Sequence, residues 1–300
     1  MQRYIFIRVL QTIVALWAVS IIVFALARIT GNPLDTLLSF ESTEEDRVRV
    51  AKAWGLDKPL YVQYFTFIGN AFRGEFGESF KWRRSARSLV VDRLPATLSL
   101  AGLAIAIATI IAVPIGVLTA VKRDSVFDYG GKALALIGQA APPFWVGLVL
   151  IWVFGVALDV VPTSGRSGGT SYILPAVSLG LFWVAALMRL IRSSMLDALD
   201  SEYVKLARVK GLPEWKVIWK HTLRNASIAP ITYFGIILGS LMVGSVSIET
   251  VFAWPGVGFL AFQSVLARDF PVIQTVVLLF SVIYILTNLA IDILYAYLDP

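Results

Sequence analysis

Apolar and polar positions in this chain alternate in long blocks rather than residue by residue. Residues 5–29, 95–121, 133–158, 172–191, 228–247 and 272–294 are predominantly apolar. Each block is close to the ~20 residues a helix needs to cross a ~30 Å hydrocarbon core. The block 95–121 holds no charged residue. A charge at a span centre costs about 2.5–3.5 kcal/mol, against about 0.3–0.6 gained per Leu, Ile, Phe or Val. In block 133–158, Pro142-Pro143 removes two N–H donors and predicts a kink, read either as a packing irregularity or as a bend beside a pathway. Gly235, Gly239, Ser240, Gly244 and Ser245 recur at about one helical turn and predict close helix packing in block 228–247. Ala25-Leu26-Ala27 offers a signal-cleavage pattern, but the apolar stretch from Val9 to Ala27 exceeds a usual signal core. The first block is therefore expected to remain as a span.

Three polar segments separate these blocks. Residues 30–94 contain ten basic and nine acidic residues. Glu41 to Lys52 reads as a surface helix, and Trp54, Tyr61, Tyr64, Phe65, Phe67 and Phe72 can pack a small subdomain or lie at the membrane interface. The segment 196–226 reads LDALDSEYVKLARVKGLPEWKVIWKHTLRNA. From Met195 to Val209, Leu196, Leu199, Tyr203, Leu206 and Val209 recur at steps of three and four, which predicts one face of a helix. Gly211 stands where a left-handed C′ residue belongs, Pro213 where a second helix begins, and Glu214 in its first turn. Trp215, Ile218, Trp219 and Leu223 continue an apolar stripe. The prediction is a helix–Gly–helix hairpin, basic on one face and apolar on the other; an amphipathic connector lying in the headgroups is the competing reading. The third segment, 249–269, is a turn-rich aromatic stretch around Phe252, Trp254, Pro255-Gly256 and Gly258, where the glycines permit turns closed to other residues.

Composition narrows the chemistry. The 300 residues are 57% hydrophobic and 15% charged, with mean hydropathy +0.75, outside the range of soluble domains. There is no cysteine and a single histidine, His221, which excludes disulfides, thiolate metal sites and most histidine-dependent catalysis. Gly130-Gly131-Lys132-Ala133 lacks the spacing and the hydroxyl of a phosphate-binding loop. Ionisable residues in mid-span, the mark of proton- or ion-coupled transport, are absent from blocks two to five as drawn. The basic residues are interleaved with acids or sit at span ends, which argues against nucleic-acid binding. Their distribution instead orients the chain. Arg3, Arg8, Lys122, Arg123 and Lys132 share a side with Arg189, Arg192, Lys205, Arg208, Lys210, Lys216, Lys220 and Arg224, whereas the opposite short connections hold only Arg166 and Arg268. This places both termini and the 196–226 hairpin in the cytoplasm.

Four separated motifs resemble one family. Glu202-Tyr203-Val204, Ala207-Arg208, Lys210-Gly211-Leu212, His221, Leu223-Arg224-Asn225 and Pro230 are similar to the cytoplasmic "EAA" loop of ABC importer permeases, specifically the dipeptide/oligopeptide (DppB/OppB) branch. Counting back from Gly211 gives Lys205, Leu206 and Ala207, so the generic Glu-Ala-Ala pattern keeps only its last Ala and its Gly. Gly55 to Leu60 with Gln63-Tyr64, and Gly74 to Ser79, resemble the stretch after that branch's first span. Val161 to Gly165 resembles its "LP-x-SG" connection, and the segment from Glu249 through Gly258 its "E-x-V-F-x-x-P-G-x-G" motif.

The resemblance runs from the first span to Asp299-Pro300. It implies an all-α polytopic membrane protein with six transmembrane helices and a MetI-like (type I) ABC importer core. The divisions would be a first transmembrane helix at 1–29, an extracytoplasmic segment at 30–94, and the core at 95–298 with its cytoplasmic coupling loop at 196–226. It further implies a permease subunit, not an enzyme, in a bacterial inner membrane. Its partners would be a second homologous permease, two ATPase subunits carrying ATP and Mg, and an extracytoplasmic solute-binding protein that delivers dipeptides or oligopeptides. The same scaffold serves nickel chelates, glutathione and opines. A stand-alone secondary transporter or channel, or a membrane-anchored scaffold, is the alternative from another class. By resemblance, Glu202, Ala207, Arg208, Gly211, Leu212, His221 and Arg224 couple to the ATPase, and Trp215 is expected, as a large side chain, to fill a hydrophobic socket on it. Phe252, Trp254, Pro255 and Gly256, with Pro142 and Pro143, border the outer gate and pathway.

Overall fold

The computed structural model describes residues 2–29 and 43–298, and the regular structure there is helical apart from one isolated bridge between Glu78 and Ser85. The expected helix start at Glu41 and the terminal Asp299-Pro300 lie outside the described residues. In order, the helices are α1 Gln2–Ile29, α2 Glu44–Ala53, α3 Leu60–Arg73, α4 Ala86–Val121, α5 Val126–Ala140 and α6 Pro143–Leu150. A π-helical stretch, Ile151–Ala157, extends α6. Then come α7 Ile173–Leu199, α8 Glu202–Val209, and α9 Glu214–Lys216, which passes through a π turn (Val217–Thr222) into α10 Leu223–Ala226. The last three are α11 Ile228–Val251, α12 Val257–Leu266 and α13 Phe270–Leu298.

Local chemistry sets several of these ends. Helix α2 begins at Glu44 because Thr43 and Asp46 form a reciprocal capping box: the Asp46 N–H donates to Thr43 Oγ1 at 3.3 Å, and the Thr43 N–H donates to the Asp46 carboxylate at 3.2 Å. The Thr43 hydroxyl also donates to the Asp46 carboxylate, at 2.8 Å, and this bond, with that from the Thr43 N–H, holds the carboxyl below its usual range. Helix α4 has 36 residues, about 54 Å at 1.5 Å per residue. The charge-free run 95–121 is therefore the C-terminal part of a longer helix, and Pro95 lies inside that helix rather than at its start.

The chain divides into two compact units. One comprises Met1–Thr97 and Pro255–Pro300. Within it α1 packs along α13, with Arg8 and Asp292 paired at 3.4 Å. Helix α3 leans on α1 through Tyr64, whose hydroxyl is 2.9 Å from that of Ser20 and whose ring meets Phe24 edge-on. Arg28 donates twice to Gln63 Oε1, at 3.1 and 2.9 Å. The fully buried Asp269, just before α13, gathers the turn ahead of α4: its carboxylate accepts from the Ser79 hydroxyl and from the N–H groups of Phe80 and Lys81, both at 3.2 Å.

The other unit is Leu98–Trp254, with α7 at its centre. Two glycines allow the close approach. A Cβ on Gly180 would lie 2.8 Å from the Ala104 carbonyl oxygen, and one on Gly116 would lie 2.8 Å from Ile191 Cγ2. Small residues do here what they do between membrane helices generally.

Two expectations change. The third apolar block is not one kinked helix: α5 and the Pro143–Ala157 helix meet at 98°. Pro142 and Pro143 are not interior residues but the cap and first residue of α6, where a missing N–H is one of the helix's unbonded donors anyway. Five helices are long and apolar enough to cross a membrane unbroken, and six crossings result if the bent pair counts as one. Second, α5 begins at Val126 and so contains a buried carboxylate. Asp128 is fully buried, accepting from Arg192 at 2.7 and 2.9 Å, from Lys132 at 2.9 Å and from the Asp124 N–H at 3.1 Å. The residue that the apolar pattern left in a connection is an anchor between α5 and α7.

Removing one partner of a buried pair strands the other, at about 3–5 kcal/mol, whereas replacing both with apolar residues is often near neutral. Asp128→Ala should therefore lower the thermal stability of the purified chain by that amount, and Asp128→Leu with Arg192→Met should restore most of it. Equal losses in the single and double variants would rule out the anchor.

Candidate coupling hairpin and outer turn

The hairpin starts with a break. Met195 to Val209 is not one helix: α7 ends at Leu199, and Ser201 takes an extended conformation (φ −73°, ψ 152°) as the cap of α8. Asp200 and Ser201 favour such breaks because their side chains compete for backbone groups; the Ser201 hydroxyl donates to the Ala198 carbonyl. Glu202 sits in the first turn of α8 and pairs with Lys205 at 2.9 Å, which raises the lysine's pKa.

Helix α8 closes as the sequence predicts. Gly211 has φ +73°. Its N–H donates to Arg208 O at 2.9 Å, and the Leu212 N–H reaches back to Ala207 O at 3.3 Å. This is the double bond pattern of a Schellman motif, with Leu212 packed on the helix it closes. Arg208 then bridges the turn to Glu214 at 2.8 Å. Val204, Ala207 and Val217 form a small buried core with Leu212 against it. Within the π turn, the Thr222 hydroxyl donates to Val217 O at 2.9 Å.

The structure sorts the predicted coupling residues. Ala207 and Leu212 serve the hairpin's own core, Glu202 and Arg208 are exposed ion-pair partners, and Gly211 sets the turn. His221 and Arg224 line a shallow basic cleft with Tyr203 and Lys220. Trp215 is 62% exposed. The expected Tyr203, Leu206, Val209 face points outward, and Val204 and Val217 take the interior. Sequence reading missed both valines, although Val204 and Ala207 stand at an i, i+3 spacing. Leu206, Val209, Trp215 and Trp219 are left as exposed apolar surface.

The turn after α11, the candidate outer turn, repeats the same device with a different residue. Helix α11 ends at Val251; the Ala253 N–H donates to Thr250 O at 3.2 Å and the Trp254 N–H to Glu249 O at 2.8 Å. The left-handed position falls on Ala253 (φ +45°), not on a glycine. Gly256 is extended (φ −100°, ψ −176°) and Gly258 is helical, so the expectation that glycines make this turn is corrected. The helix-closing pattern demands a left-handed residue one place after the cap, wherever the glycines fall.

Phe252 and Trp254 are buried, Pro255 exposed and Gly256 buried. Trp254 meets Tyr172 edge-on at 4.5 Å, and the Arg166 guanidinium lies over both rings, 5.4 Å from Tyr172 and 5.9 Å from Trp254. The Gly165 N–H donates to the Phe252 carbonyl at 2.8 Å. A Cβ on Gly147 would lie 3.0 Å from Phe252 Cε2, so the helix begun by Pro142-Pro143 and the Val161–Tyr172 connection both hold the α11 end. Among the described residues no cluster of His, Cys, Asp and Glu could hold a metal ion.

Two family models cover the chain: the inner membrane component of binding-protein-dependent transport systems over residues 112–300, and the N-terminal part of such membrane components over residues 1–101. The chain belongs to that family. It is a multi-pass, peptide-type ABC permease. It is similar to the oligopeptide transport permease AppB of Bacillus subtilis (38% identical, covering 100% of this chain and 99% of that protein). Similar to it also are the glutathione transport permease GsiC of Escherichia coli K12 (38%, covering 100% and 98%) and the di/tripeptide permease DppB of Pseudomonas aeruginosa (36%, covering 95% and 94%). The inward-facing MetNI methionine ABC transporter shares the fold, with TM-score 0.59 at 19% identity over 71% of this chain and 97% of that one.

Burial separates the two aromatic sites of the permease. Trp254→Ala removes a fully buried ring and should lower the thermal stability of the purified chain by about 3–5 kcal/mol. Trp215→Ala, at an exposed position, should change it by no more than about 0.5 kcal/mol. A large loss for Trp215→Ala would mean that its ring packs within the chain.

Proposed function

We propose that this permease forms half of the translocation pathway of an ATP-driven importer and takes up dipeptides or oligopeptides handed over by an extracytoplasmic binding protein. A second homologous permease supplies the other half. Two ATPase subunits, which carry ATP and Mg, dock on the 196–226 hairpin from the cytoplasm. The observation that carries this reading is the exposed apolar edge Leu206, Val209, Trp215 and Trp219 on a hairpin with its own core, closed by Gly211. Two exposed tryptophans four residues apart suit a socket on a soluble partner, where tryptophan is enriched among the anchors. The basic cleft of Tyr203, Lys220, His221 and Arg224 borders that edge in sequence and supplies a polar rim.

In this reading both termini are cytoplasmic, residues 30–94 form the extracytoplasmic segment after the first helix, and 95–298 form the transport core. The Phe252–Trp254 turn, with Pro255 and Gly256, closes the outer face. ATP binding opens the cavity between the two permeases outward, and hydrolysis returns it. Glutathione is the second reading for the cargo, because GsiC matches at the same 38% as AppB.

Gly211 gives a sharp test. A Cβ there would meet nothing within 4 Å, so a substitution acts only through the left-handed backbone, at about 1–2 kcal/mol, with a β-branched residue worse. Gly211→Val should insert at normal abundance yet lose ATPase co-purification or binding-protein-stimulated hydrolysis. Wild-type stimulation and uptake would remove the hairpin from coupling. Orientation is checked separately: a reporter after Ala226 should be cytoplasmic and one near Gly168 external.

A further inference from the structure

The unit of α1, α3 and α13 with the start of α4 contains a long apolar groove of about 730 Å³. Its walls include Leu16 and Trp17 of α1, Phe72 of α3, and Leu278 and Val282 of α13; Arg87, in the first turn of α4, is the one charged side chain lining it among the described residues. From Arg87 to Leu94 the α4 wall runs about 10 Å along the helix axis. Arg87 is exposed and makes no hydrogen bond or ion pair with described residues. Its Nη1 lies 3.1 Å from where a Cβ on Gly74 would stand, so the guanidinium rests over the left-handed end of α3. Helix α3 has no buried residue, and Tyr61, Phe65 and Phe72 form an exposed aromatic stripe on one of its faces, as in a helix lying at a membrane interface. Between Arg73 and Arg93 six basic residues (Arg73, Lys81, Arg83, Arg84, Arg87, Arg93) stand against three acidic ones (Glu75, Glu78, Asp92). A cation at a helix N-terminus opposes the macrodipole, so local helix stability gives no reason for Arg87.

We infer that this groove binds one anionic phospholipid, its phosphate on Arg87 and an acyl chain along α1 and α13. A guanidinium offers the fork that a phosphate accepts, and the apolar walls suit a chain but not a peptide backbone. The inference rests on the membrane-spanning character of the chain and holds for either orientation. A hydrophobic helix of a partner subunit would leave the guanidinium without an anion, and lipid is the occupant that satisfies both ends of the groove.

The test incubates the purified full-length permease, with its co-expressed subunits, in an equimolar detergent mixture of phosphatidylglycerol and phosphatidylcholine, then quantifies retained lipid by mass spectrometry. Phosphatidylglycerol should be enriched about fivefold, the factor equivalent to ~1 kcal/mol for one basic side chain at an anionic surface. Arg87→Gln should bring the ratio near parity and Arg87→Lys should keep most of it. Leu279→Trp, which fills the groove, should abolish retention at an unchanged elution volume. A phosphatidylglycerol with a photoreactive acyl chain should label the peptide containing Trp17. Equal retention of both lipids, enrichment that survives Arg87→Gln, or labelling of a partner subunit's helix in place of lipid at Trp17 would each overturn the inference.

Discussion

Every backbone N–H and C=O inside a bilayer must find a partner within the protein, because hydrocarbon offers none. That constraint explains both the regularity of this permease and the places where it departs from regularity. The crossing segments are helices because no other open element satisfies its own backbone. Departures occur where a replacement partner exists. At the 98° bend the break falls on Pro142-Pro143, at the start of a helix, where donors would be unbonded anyway. At the ends of α8 and α11 the chain reverses through the same six-residue closure, in which two N–H groups reach back to the last carbonyls of the helix.

That closure recurs with different residues, and the difference is informative. At Gly211 the left-handed position carries glycine and costs little. At Ala253 it carries a side chain, a conformation that costs about 1–2 kcal/mol relative to the right-handed region. The surroundings hold Ala253 in place: Trp254 and Phe252 are buried against Tyr172, Arg166, Gly165 and Gly147. The hairpin turn has open space around it and relies on glycine; the turn after α11 relies on packing.

The charged residues follow a similar logic. Asp128 and Asp269 are both fully buried and both saturated with donors. One ties α5 to α7 through Arg192 and Lys132, and the other fixes the 79–81 turn to the start of α13. Asp128 lies in the first turn of α5 and Asp269 just before α13, rather than at the middle of a helix, where desolvation would be greatest.

The sequence by itself determined the apolar blocks, the hairpin with its left-handed Gly211, and the family. Those follow from local chemistry: span length is set by the bilayer, and a glycine before a proline marks a helix end whatever surrounds it. It also pointed to Phe252 and Trp254, although not to Ala253 as the strained residue, because the closure is fixed by where α11 stops. Only the tertiary structure decided which face of α8 is interior. Tyr203, Leu206 and Val209 have the helical spacing, yet Val204 and Ala207 are buried because Val217 returns across that side of the hairpin. It likewise decided that Pro142-Pro143 begins a helix instead of bending one, and that Asp128 is an anchor. A periodic pattern reports that a helix has two faces; which face is covered depends on a neighbour that arrives from elsewhere in the chain.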